Sequence, residues 1–124
     1  MKRSILAVLC LSFGAAALGA APPPPQPPPA EVSCTRGGLQ NAVNLYLAAQ
    51  TKGDLSGLPL ANGLEYRENI KQADIRKGFI TRPLTINFHR SFFDDATCQS
   101  YTEIIVNDPA APYVLGTRLR VNHA

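Results

Sequence analysis

Hydrophobic and polar positions change their period along this chain. Leu39, Val43, Tyr46 and Leu47 recur at helical spacing, between Ser33 or Thr35 as candidate N-caps and Gly53 as a stop. Gly37 and Gly38 weaken the first turn by about 1 kcal/mol each if they lie inside it. Asp54 then opens a short turn, DLSGLPLA, which Pro59 keeps from lengthening. Residues 63–69, GLEYREN, read as a short strand with Leu64 and Tyr66 on one face. Residues 70–77 are polar and read as a loop or irregular helix that Gly78 breaks. Pro83 marks the start of a long strand, where a missing amide is tolerated.

From there the pattern is that of strands. LTINFHRSFFDD, TCQSYTEIIV and PYVLGTRLRV concentrate the β-branched and aromatic residues. Asp94-Asp95 and NDPAAP supply the turns between them, so the spacing predicts a three-stranded antiparallel unit. Leu84, Ile86 and Phe88 share one face of the first strand. Tyr113, Leu115, Thr117, Leu119 and Val121 share one face of the last. If Cys98 points toward the helix, Ser100, Thr102, Ile104 and Val106 point inward, and Gln99, Tyr101, Glu103 and Ile105 outward. A bulge next to Cys98 would invert that assignment. Inward hydroxyls on Ser100, Thr102 and Thr117 suit a ligand pocket better than a dry core.

The N-terminus changes the picture. Lys2 and Arg3, the apolar run 5–13 and the small-residue run GAAALGAA have the form of a secretory signal over residues 1–20. Cleavage after Gly19 or Ala20 fits; a retained membrane anchor is the alternative, though the run is short for a span. Residues 21–32 hold PPPPQPPP, a polyproline stretch that reads as a stiff linker, with a ligand for a proline-recognition module as its rival. Residues 33–124 form the domain. Among 124 residues there are 12 Lys+Arg and 9 Asp+Glu; without Lys2 and Arg3 the net charge is +1. The remaining charges are interspersed, so neither nucleic acid nor an acidic membrane has a footprint.

Cleavage also removes Cys10 and leaves Cys34 and Cys98. In an oxidising compartment that pair reads as one disulfide, with two free thiols or a metal site as rivals. Only His89 and His123 could assist a metal, too few for zinc, so no metal is expected. The domain is therefore expected to be secreted.

The strings CTRGGLQNAVNLYLAAQ, GLPLA, YREN, FHRSFFDDATCQSYTEIIV and PYVLGTRLRV resemble a family of small exported ascomycete proteins with a SnoaL-like domain of unknown function. That family belongs to the nuclear-transport-factor-two-like, or ketosteroid-isomerase-like, superfamily. The resemblance covers roughly residues 34–121. It implies an α+β fold, a cone-like (cystatin-like) roll of curved antiparallel sheet packed on an N-terminal helix. Members usually continue with a further strand, so the resemblance also implies a cone incomplete at its C-terminus, or a truncated chain. It implies a pocket for a small apolar or polyketide-like ligand, no cofactor, and homodimers formed through the outer face of the sheet. Superfamily enzymes place an acid or carboxamide near the end of the first strand and a tyrosine on the first helix. Glu68, Asn69 and Tyr46 occupy those places here, Glu68 and Tyr46 as catalytic candidates and Tyr46 and Asn69 as ligand contacts. Two functions follow, a non-catalytic binding module and, as the alternative, a cofactor-independent isomerase or cyclase in which a carboxylate acts as base and a phenol stabilises an enolate. Export favours the first.

Other constellations are weaker. His89, Ser91 and Asp94 or Asp95 mimic a triad, but residues two apart on a strand sit about 7 Å apart. There is no G-x-S-x-G elbow, phosphate loop or dinucleotide fingerprint. His89 reads as a surface or pocket-rim residue, and Arg90 and Glu103 as a cross-strand salt bridge.

Overall fold

The computed structural model describes residues 31–122; the expected signal sequence and cleavage site, most of the expected linker and His123 lie outside the described residues. One helix, α1 (Arg36–Lys52), is followed by a small hairpin, β1 (Arg67–Glu68) and β2 (Lys71–Gln72). Two 3-10 turns come next (Ile75–Lys77 and Phe79–Thr81), then β3 (Phe88–Asp94), β4 (Gln99–Val106) and β5 (Tyr113–Arg120). The fold is α+β, a helix packed against antiparallel sheet with no barrel closure.

Thr35 is the N-cap of α1, its Oγ1 accepting from the Gly38 amide at 3.1 Å. Gly38 is buried against Ser33, and a Cβ there would lie 2.2 Å from the Ser33 hydroxyl oxygen. The glycine that weakens the helix is thus the one that lets the chain before it fold back. Gly53 closes the helix at φ +66, its amide donating to Ala49 O. Leu39, Val43, Tyr46, Ala49 and Gln50 make the buried stripe. Gln50 is no apolar residue, but its Nε2 donates to Arg82 O at 2.9 Å and to Phe79 O at 3.4 Å, while its backbone carbonyl accepts from the Leu84 amide. A buried amide so satisfied fixes the 79–84 segment on the helix.

The three long strands run in the order β3-β4-β5, with Phe88 opposite Ile105, Asp94 opposite Gln99, and Val106 opposite Tyr113. Ser100, Thr102, Ile104 and Val106 are buried while Tyr101 and Ile105 are exposed. The inward row is therefore the one that Cys98 predicts. Cys98 itself has φ +54 and is bonded to Cys34, with Cα atoms 4.9 Å apart. Asp94 shapes the turn, accepting from the Ala96 and Thr97 amides and, at 2.6 Å, from the Thr97 hydroxyl.

Two expectations fail. The long strand does not start at Pro83: residues 84–87 are not strand, although the Asn87 amide still reaches Ile105 O of β4 at 3.3 Å, and Leu84 and Ile86 pack inward on the core cluster whereas Phe88 faces out. The cause is competition, because the Leu84 amide is already taken by the end of α1. The strand over 63–69 shrinks to two residues, and the polar segment after it supplies the partner strand and the first 3-10 turn. Asn69 and Ile70 both take positive φ, +47° and +74°, the conformation of a primed hairpin turn.

Candidate functional site

The buried side of the sheet faces α1. Thr102, fully buried, shares a hydrogen bond with Ser91 opposite it, the hydroxyl oxygens 2.9 Å apart. Thr117 shares one with Tyr46 of the helix at 2.6 Å. Burial raises the Tyr46 pKa, against the opposing pull of that bond, so the phenol stays protonated. Ser100 is buried with its hydroxyl unpartnered among the described residues. Tyr46, Thr102 and Thr117 thus lie in one layer, tied to side chains rather than open to a ligand.

Glu68 belongs to a different place. It ends β1, and its Oε1 accepts from the Phe79 amide and from the Tyr66 hydroxyl, the latter at 2.6 Å. The Phe79 amide, then the Tyr66 hydroxyl, hold the Glu68 carboxyl below its ordinary value. Desolvation and the proton given to Glu68 push Tyr66 up to about 12. A carboxylate whose charged form is stabilised in this way is a poor proton acceptor near neutrality. Asn69 follows in the exposed hairpin turn.

Two depressions open on the surface. The larger, ≈ 550 Å³, is lined by the loop after α1 (Leu55, Leu60, Leu64) and by Tyr66 and Ile75, with Asp74 and Arg76 at its rim. The smaller, ≈ 310 Å³, lies between α1 and the segment leading into β3. None of Tyr46, Glu68, Asn69, Ser100, Thr102 or Thr117 lines either one. The leucines of the larger cleft carry no period that sequence reasoning can use. Their only signal is apolar density, four leucines in DLSGLPLANGL, where a solvated loop would be polar. Gly78 backs the Tyr66 ring, since a Cβ there would lie 2.5 Å from Tyr66 Cε1.

The triad look-alike is dissolved by its own bonds, Ser91 to Thr102 and Asp94 to its turn. Arg90 and Glu103 do pair across neighbouring strands. Among the described residues no group of three or more His, Cys, Asp or Glu is placed to hold a metal ion. No helix among them is long and apolar enough to cross a membrane.

No family model, curated protein or solved structure matches this chain.

Proposed function

We propose that this is a secreted, non-catalytic binding module of the SnoaL-like kind, whose ligand is a small uncharged apolar or polyketide-like molecule seated in the 55–76 cleft. The observation that carries the reading is the cleft itself. Its volume of ≈ 550 Å³ falls within the usual range for small-molecule sites, and Leu60 and Leu64 are both more than two-fifths exposed there. One acid and one base at the rim leave no net charge to select an ion. Binding is preferred over isomerase or cyclase chemistry because Glu68 is held in its charged form and neither it nor Tyr46 lines the cleft. The disulfide agrees with export.

The test uses Nile red, a neutral apolar dye. Saturable binding that Leu64→Asp abolishes and Phe92→Ser leaves unchanged supports the cleft. Absence of saturable binding, or binding indifferent to Leu64→Asp, rejects it.

The proposal extends to a homodimer. Phe88, Phe92, Tyr101, Ile105 and Val114 all project from the outer face of the sheet and are exposed. A two-fold axis along β4 would lay β3 of one copy over β5 of the other. Phe92 would then face Arg118, and Asp94 would face Arg120, attraction in both pairs. Sedimentation at rising concentration should show a dimer that Val114→Asp dissociates; a monomer throughout rejects this arrangement.

A further inference from the structure

We propose that the groove between the C-terminal half of α1 and the segment leading into β3 is a second binding site, selective for a small amphiphilic monocarboxylate. It shares no lining residue with the 55–76 cleft. Leu47, Ala48 and Ile86 give it an apolar floor, and Thr51, Lys52 and His89 form the rim. Leu47, Ala48, Thr51 and Lys52 lie one turn apart on a single helix face, so the floor and the cation reach the groove together. His89 is the second residue of β3 and belongs to its inward row, opposite Ile104.

Charge selects the occupant. Both ionisable side chains on this rim are bases, and no carboxylate lines the groove. Lys52 makes no ion pair among the described residues. The acid that senses it, Asp54, is committed to the Ser56 amide and hydroxyl at 2.9 and 2.8 Å. A carboxylate at the rim takes the Lys52 ammonium as counter-ion and an imidazole N–H of His89 as donor, available in either ionisation state of that ring. The partial negative charge of the helix C-terminus opposes an anion here. It is blunted because the amides of Gly53 and Asp54 both donate to Ala49 O. At ≈ 310 Å³ the groove is near the lower limit for small-molecule sites, which suits an acid of about six to ten carbons.

The decisive experiment titrates the isotope-labelled full chain with octanoate, octanol and octylamine at constant ionic strength, and follows the backbone amides. Octanoate should shift residues 47–52 and 86–89 and saturate. Octanol should bind at least about tenfold more weakly, octylamine should not saturate, and Lys52→Gln should weaken octanoate about tenfold while His89→Gln weakens it less. Lys52 and His89 are exposed, so neither variant threatens the fold. The proposal is overturned if octanol binds as well as octanoate, if Lys52→Gln leaves the affinity unchanged, or if the shifts map to residues 55–76. The last result would leave the cleft reading standing, while loss of Nile red binding with octanoate still bound here would do the reverse.

Discussion

Opening the Cys34–Cys98 bond should cost this domain a large part of its stability. The bond joins the residue before the N-cap of α1 to the residue before β4, across a sequence separation of 64. Closing a loop of that length removes enough freedom from the unfolded chain to stabilise by about 4 kcal/mol. Domains of this size have only about 5–14 kcal/mol in total, at roughly 0.05–0.15 kcal/mol per residue. At about 4–8 °C per kcal/mol, the melting temperature should fall by about 15–30 °C. The loss should be felt first at the helix start, where two glycines leave the Thr35 cap and the Ser33–Gly38 contact to hold the turn. Calorimetry of the oxidised chain, the reduced chain and the double variant Cys34→Ala/Cys98→Ala measures this directly. Amide hydrogen exchange then locates it. A loss below about 1 kcal/mol, or unchanged protection over residues 36–40, would refute the reasoning, because the bond would then be tying together parts already fixed by packing.

Other outcomes follow from single contacts. Gly78→Ala should destabilise by about 1–3 kcal/mol through overpacking, since the new Cβ meets the Tyr66 ring while φ, −77°, suits any residue; a neutral result in urea unfolding would mean that Tyr66 is not seated there. Ile70→Gly should stabilise by about 1 kcal/mol, because a β-branched residue at φ +74° is strained whereas glycine is at ease in a primed turn; a loss of stability would argue against that turn. Glu68, Asp54 and Asp94 all have lowered pKa values, so their contribution is present above the unfolded carboxylate range near pH 4 and disappears as pH falls through the lower folded values. Tyr66, raised to about 12, acts in the opposite direction: its contribution is complete below pH ~10 and is lost as pH rises toward about 12. Chemical denaturation across pH should show both flanks, and Tyr66→Phe should reduce the alkaline one and also weaken the Glu68 part of the acid one, because the Tyr66 hydroxyl is one of the two donors that hold that carboxyl low.

Strong periodicity and the cysteine pair make much of the fold legible in the sequence. The stripe Leu39–Val43–Tyr46 specifies α1, and alternation over 99–106 and 113–120 specifies the two strands and their inner faces. The Cys98 side of β4 could be reasoned out because a disulfide to the helix leaves only one face for it. The middle of the chain resists such reading. Gln50 looks polar and is buried, because two carbonyls of the 79–82 segment meet its amide, a tertiary fact with no local trace. The hairpin at 67–72 rests on Asn69-Ile70, whereas turn chemistry would call for glycine at the second position. The cleft is least legible of all, because its leucines come from an aperiodic loop.

The inner layer explains why the proposed ligand sites lie at the margins of this domain. Hydroxyls facing a helix suggest a pocket only so long as they lack partners, and here those of Thr102 and Thr117 find theirs in the same fold, leaving the buried Ser100 hydroxyl unpartnered among the described residues. Tyr46 reaches Thr117 across the layer, Ser91 answers Thr102 from the next strand, and Ile104 and Val106 fill the space beside them. To enter, a ligand would have to replace those bonds and displace buried apolar side chains, a cost that a small molecule's few contacts offset poorly. At Leu60 and Leu64, by contrast, apolar surface already stands in water, and covering it is favourable from the first contact. Occupation of the proposed cleft would therefore leave the Tyr46–Thr117 bond untouched, with the helix–sheet layer as a backing for the sites proposed on the loops and edges around it.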